Sequence, residues 1–353
     1  MVTVAMERKG RLPVSQQQVT HRLVTVVPCL PATLRDSEVP HFFRERHVLT
    51  GYRPLHQDWR YYLLSLFRRH NETVNVWTHL LGALLVLVWF RELAEVVDFA
   101  GDAHSWPLLI LLLSSFCYMS FSAVAHLLAP RSELTHYALF FLDYVGVALY
   151  QYGSAAVHFH YAVPDDWPHW LLGPFMPVAA LLCCFSCFGC CFGKYCSHSS
   201  PSSIRKLGQV LPSALAYAWD TSPVFWRLWG CLPACEQDPA ALFHAGQVGF
   251  FLASALFFTL LLPERWLAGR CDFLGQGHQL FHTLLVLCTL CQLQASHLDY
   301  RGRRMLYLRL HGDGEPAFLV CLFVAVALVC TSVAIGMTSK VSHLLRSRDG
   351  KHE

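Results

Sequence analysis

The chain has 353 residues, 54% of them hydrophobic and only 14% charged, against roughly one quarter charged in a soluble domain. Its formal net charge of +3 is too small and too dispersed to make a nucleic-acid-binding surface, so the Lys and Arg residues carry topological information instead. These numbers exclude an ordinary soluble domain and point to an integral membrane protein.

Residues 1–38 mix Gln, Arg, Thr and Pro without periodicity and read as a flexible cytosolic tail. The first 75 residues hold no short apolar core followed by a small-residue cleavage site, so no cleaved secretory signal is expected. Residues 39–75 are aromatic and basic. They suit either an amphipathic helix on the inner leaflet, with Trp59, Tyr61, Tyr62 and Phe67 at headgroup level, or a cytosolic cap packed on the bundle.

Eight apolar runs follow, near 76–93, 107–128, 137–159, 171–192, 209–229, 243–262, 279–298 and 316–338, each near the ~20 residues a spanning helix needs. The interior prolines Pro177, Pro212 and Pro223 are expected to kink their helices. Lys and Arg concentrate before the first run and in alternate loops (Arg131; Lys194, Arg205 and Lys206; Arg265 and Arg270), whereas the intervening loops carry Glu92, Glu95, Asp98 and Asp102, then Asp165 and Asp166, then Glu236 and Asp238. The N-terminus is therefore expected in the cytosol. One outer loop, 299–315, dissents with Arg301, Arg303, Arg304 and Arg309. A seven-helix core at 76–298, an appended eighth helix at 316–338 and a cytosolic tail at 339–353 accommodate it, giving an all-α membrane fold.

In that topology four sets of polar residues reach one depth near the inner face. Glu72, Asn75 and His79 share a helical face at the start of the first run. Ser122 and His126 end the second, Asp143 lies two turns into the third, and His278 and His282, in the stretch GQGHQLFH, open the seventh. Ionisable residues inside a membrane are costly and mark functional sites. His126, His278 and His282 make a three-imidazole set of the kind that binds Zn²⁺ with one position open. Asp143 and Ser122 stand beside it as catalytic candidates should the protein be a hydrolase, and Glu72, Asn75 and His79 would orient the ligands by hydrogen bonds. Packed core histidines, or an ion path, are the structural alternatives.

The motifs Glu72-x-x-Asn75-x-x-x-His79, Ser122-x-x-x-His126 with Asp143 seventeen residues on, and His278-x-x-x-His282 resemble those of the progestin and adipoQ receptor family. GYRPLHQDWRYY, HNETVNVWTHLL and FLDYVGVALYQYGSA are similar to its progestin-binding branch. The resemblance implies a steroid receptor at the plasma membrane, acting through inhibitory G proteins to lower cAMP, with a role in oocyte maturation and gamete function. It also implies zinc on the three histidines, and similarity to ceramide-hydrolysing enzymes.

A steroid pocket needs apolar walls with a few polar groups, for which Asp220, Gln209, Gln247, Tyr150, Gln151 and His158 are candidates; Asp220 is equally readable as a buried acid bonded to a neighbouring helix. Cys183, Cys184, Cys187, Cys190, Cys191 and Cys196 crowd the inner end of the fourth run. Cys190, Cys191 and Cys196 suit S-acylation or packing more than metal. Cys231 and Cys235 are placed for an outward-facing bridge, and the sequon Asn71-Glu72-Thr73 falls on the cytosolic side, where it would go unused. A progestin receptor, with the bilayer and a steroid as its partners, and a zinc-dependent lipid amidase are the two functions that the resemblance implies.

Overall fold

The computed structural model describes residues 30–196, 202–232, 235–311 and 315–349. The chain divides into two units, Met1–Ala32 and Thr33–Glu353, and every helix and strand named below belongs to the second.

Among the described residues, eleven helices accompany a two-stranded antiparallel ribbon, β1 (Leu34–Arg35) and β2 (Thr50–Tyr52). They are α1 (Trp59–Ser65), α2 (Thr73–Ala94), α3 (Trp106–Leu128), α4 (Glu133–Val157), α5 (Leu172–Tyr195), α6 (Ser202–Asp220), α7 (Ser222–Cys231), α8 (Ala241–Leu260), α9 (Gly277–Gly302), α10 (Arg304–His311) and α11 (Glu315–Asp349). Among the described residues five helical segments are long and apolar enough to cross a membrane by length and composition: Thr73–Ala94, Ala103–Arg131, His169–Tyr195, Ala241–Leu260 and Ala317–Arg348. The runs expected at 137–159 and 279–298 correspond to α4 and α9, which carry more polar side chains than those five because they line the interior site. The outward faces of the apolar helices expose Leu81, Leu84, Leu85, Phe185, Phe188, Leu328 and similar residues, the surface a lipid solvent requires.

The fifth expected run is not one kinked helix. It breaks into α6 and α7 at Thr221, because Pro223 has no N–H to offer the Trp219 carbonyl. The Ser222 hydroxyl donates to that carbonyl at 2.7 Å, and the Asp220 carbonyl is taken by His158 Nδ1 at 3.0 Å. A backbone break inside a bundle is tolerated when freed carbonyls find such partners.

The aromatic-basic segment forms a single helix, α1, within a compact cap. Val39, Val48 and Tyr52 pack together, and the Thr50 hydroxyl donates to Asp272 Oδ2 at 2.6 Å. Tyr62 donates to the Pro130 carbonyl at 3.1 Å. Buried Arg53 donates to the carbonyls of His126 and Leu127, both at 2.6 Å, and its burial pushes the guanidinium down to about 10. The cap thus ties the C-terminal end of α3 to the loop before α9. Asn71 is buried within it, its carbonyl accepting from Gln276 and Gln279.

At the opposite end two of the four dissenting arginines are neutralised locally. Arg304 pairs with Asp102 and Arg309 with Asp165, and Arg303 donates to the carbonyls of Tyr161 and Val163. The segment between α9 and α11, expected as a loop, contains α10.

Candidate metal centre and ligand cavity

The stretch GQGHQLFH builds its own helix start. Gly275 takes a φ of +89°, open to glycine at no steric cost. A Cβ on Gly277 would stand 2.7 Å from the Leu262 carbonyl oxygen and 2.9 Å from that of Phe257, so only glycine lets α9 begin against the end of α8. Gln276 and Gln279 form a capping box, and Glu264 accepts from the Gly277 N–H at 2.6 Å. One turn of helix then sets His278 and His282 on the same face.

His126 from α3 meets them. His278 Nε2 lies 3.4 Å from His126 Nε2 and 3.2 Å from His282 Nε2, and the three ligand atoms fall within 4.8 Å of one another. Zinc–nitrogen bonds of about 2.0–2.1 Å in a tetrahedron place ligand nitrogens roughly 3.3–3.4 Å apart, so the donor set fits that ion. The outer nitrogens are held as a metal site needs. Glu72 Oε2 is 2.7 Å from His126 Nδ1, and the backbone carbonyl of Asn75 is 3.3 Å from His282 Nδ1. The Asn75 amide donates to Glu72 Oε2 at 2.6 Å.

His79 differs from expectation. Among the described residues it has no hydrogen bond to any of the three histidines, and both its nitrogens are buried without a hydrogen-bond partner. Its ring instead stacks on His282, centroids 3.8 Å apart and planes within 11°, so it orients that ligand by contact. Asp143 and Ser122 face the same space as the three imidazoles.

That space is a cavity of about 310 Å³, within the roughly 300–1,000 Å³ of small-molecule sites. It runs from the histidines and Asp143 past Val147, Ala214, Phe251 and Leu285 to Asp220 and Gln247. All six expected ligand-binding residues, Asp220, Gln209, Gln247, Tyr150, Gln151 and His158, line it. A π turn, His158–Ala162, continues α4 at its far end, a widening frequently found at functional sites.

A hydrogen-bonded chain follows one wall. Tyr118 meets the Thr289 hydroxyl at 2.8 Å, and Thr289 meets Tyr150 at 3.1 Å. Tyr150 donates to Gln292 Oε1 at 2.7 Å. Gln292 Nε2 reaches Ser154 Oγ at 2.7 Å and His158 Nε2 at 3.0 Å. Gln247 is 2.8 Å from His244, whose Nε2 lies 2.8 Å from Asp299. Arg227 ends the chain by clamping Asp238 and Asp299 at 2.6–2.9 Å. Thr289, Gln292 and Asp299 went unread in the sequence, although their 3 and 7 spacing on α9 puts them on one face.

Residues 67–293 match the haemolysin-III-related family. The chain belongs to that family. Among its relatives are a membrane progestin receptor alpha-B of Danio rerio, 53% identical over 92% of this chain and 94% of that one, and the membrane progestin receptor alpha of Homo sapiens, 48% identical over 88% and 89%. The membrane progestin receptor beta of Homo sapiens is 44% identical over 99% of this chain and 100% of its own. The resemblance carried by the histidine and acidic motifs therefore extends over nearly the whole length, and this member of the family is a multi-pass membrane protein.

The cysteines at the C-terminal end of α5 are more enclosed than acylation requires. Cys191 packs in the main core with Cys183 and Cys187, Cys196 is also buried, and Cys190 turns its thiol toward Gln209 and Ser213 at the cavity wall. Their burial favours packing. Cys231 and Cys235 are joined in a disulfide.

Proposed function

We propose that this chain is a progestin receptor of the plasma membrane, oriented with its N-terminus in the cytosol. The cavity carries the proposal: about 310 Å³ of mostly apolar space with polar groups at both ends suits a rigid apolar ligand with polar groups at its extremities, and the relatives named progestin receptors cover nearly the whole chain. Ligand occupancy is read at the cytosolic face by an inhibitory G protein that lowers cAMP, in support of oocyte maturation. Saturable binding of labelled progesterone to the purified protein in nanodiscs is expected, together with a fall in cAMP in expressing cells that pertussis toxin blocks. Absence of saturable binding overturns the proposal. An N-terminal epitope reachable only after permeabilisation is the expected topology.

The three histidines would hold Zn²⁺, which supplies a Lewis acid when bound. Glu72 fixes His126 with Nδ1 protonated and Nε2 free to ligate, and the Asn75 carbonyl does the same for His282. A second reading follows from Asp143 and Ser122 facing those imidazoles: hydrolysis of a ceramide-like lipid amide, with Asp143 moving the proton between water and the departing amine. Asp143→Asn would then abolish ceramide hydrolysis while progesterone binding survives. Equal hydrolysis by both proteins removes this reading.

A further inference from the structure

The polar residues of the cavity separate into those already engaged and those left open. Tyr150, Gln292, His158 and Gln247 belong to the hydrogen-bonded chain along one wall. Gln292 uses both amide hydrogens, on Ser154 and His158, and its oxygen accepts from Tyr150. His158 Nδ1 is committed to the Asp220 carbonyl. A ligand gains little from groups whose hydrogen-bonding capacity is spent, whereas buried unpartnered groups carry a desolvation cost that a ligand can relieve.

Among the described residues, the buried polar atoms bordering the cavity without a hydrogen-bond partner are the two nitrogens of His79, Gln151 Oε1, Tyr217 Oη and Asp220 Oδ1, the last of them 3.5 Å from His158 Nδ1. His79 lies against the metal end, stacked on His282. Gln151 Oε1 is an acceptor atom, and the Asp220 carboxyl faces His158 Nδ1 at 3.5 Å, on the protein side. Tyr217 is the remaining donor. Its ring is fixed by a parallel stack on Phe251 across the gap between α6 and α8, centroids 3.6 Å apart and planes within 12°, so its hydroxyl is presented with little freedom to lose on binding.

We infer that Tyr217 is a specificity-determining residue that donates a hydrogen bond to one ketone of the ligand, with Phe251 holding its ring in place. The inference rests on the receptor reading and assigns to it a recognition element that the stretch AYAWD did not advertise: the eye goes to Asp220, while Tyr217 sits one turn earlier on the same helical face.

Tyr217→Phe deletes the hydroxyl and retains the ring stack and the apolar surroundings, so the fold is preserved. Full-length protein in nanodiscs would be titrated with progesterone and with its 3-deoxo and 20-deoxo analogues. The variant is expected to bind progesterone about tenfold more weakly, the worth of one buried hydrogen bond. That difference should vanish for the analogue lacking the ketone Tyr217 reads and persist for the other. Unchanged progesterone affinity in Tyr217→Phe, beside saturable wild-type binding, overturns the assignment alone. A tenfold loss that persists with both analogues also overturns it, by making the effect structural. No saturable binding to the wild type overturns the receptor reading and this assignment with it.

Discussion

Replacing Glu72 tests whether the three histidines are a tuned metal site or only a polar core. Its carboxylate holds His126 Nδ1 at 2.7 Å and is itself held by the Asn75 amide at 2.6 Å, a charge-assisted pair in a buried setting. Removing a hydrogen-bond partner of a ligating histidine costs 10–100-fold in metal affinity, or about 1.4–2.7 kcal/mol. Glu72→Leu deletes both the charge and the acceptor and is expected near the upper end. Glu72→Gln keeps an acceptor and loses the charge, so it should fall near the lower end. Zinc affinity measured by competition with a chromophoric chelator, with metal content by mass spectrometry on the same detergent-purified samples, reads both. If both variants bind zinc as tightly as wild type, or if wild type carries none and His278→Ala/His282→Ala changes nothing, the reasoning from ligand geometry is wrong.

Three further outcomes rest on the same contacts. Gly277→Ala places a methyl against two backbone oxygens of the α8 terminus, and should lower thermal stability by about 1–3 kcal/mol while weakening zinc binding, read by detergent thermal unfolding and metal content. Arg227→Leu leaves buried Asp299 without its guanidinium partner and removes the clamp on Asp238, and is expected to cost about 3–5 kcal/mol in the same unfolding assay. Burial pushes His70 down to about 3, below its ordinary 6.5, so the folded state keeps it neutral while the unfolded chain takes up a proton as pH falls through 6.5. Its contribution is present above that pH and is lost progressively toward pH 3, roughly 2 kcal/mol by pH 5. The wild type should lose stability between pH 7.5 and 5 more steeply than His70→Gln, and equal slopes refute the assignment.

The spanning helices were legible because a lipid-facing helix must be apolar over ~20 residues, a signal that survives without any knowledge of packing. Where the interior imposes polar residues the signal weakens: α4 carries Asp143, Tyr150 and Gln151, and α9 carries Gln292 and Asp299, so they show as spans only through their flanks. The break at Thr221 was hidden for a different reason. Pro223 announced a disturbance, but a kink and a break differ only in whether the freed carbonyls find partners, and those partners, Ser222 and His158, are a neighbour and a residue on another helix. The arginines of 299–315 dissented for the same cause: charge counting treats each loop alone, whereas Arg304 and Arg309 are paired with acids of other loops.

The site divides along the same line. Histidines four apart, and motifs that end or begin apolar runs, set depth in the expected topology, and depth alone was enough to bring His126, His278 and His282 into one group, since successive helices run in alternate directions. Azimuth was not recoverable, because which way a helix turns its polar face depends on neighbours far away in sequence. This is why His79 was expected to hydrogen-bond a ligand and instead stacks on one, why Gln209, Gln247, Tyr150, Gln151 and His158 could not be ranked, and why Tyr217 went unread. Once azimuth is given, the ranking comes from counting donors and acceptors: Gln292 spends its capacity on Ser154, His158 and Tyr150, and Tyr217 spends none of its own. A buried hydroxyl left open on an apolar cavity has a desolvation cost that a ligand carbonyl can remove, and this is the physical reason for placing specificity at that hydroxyl, apart from the histidine centre at the other end.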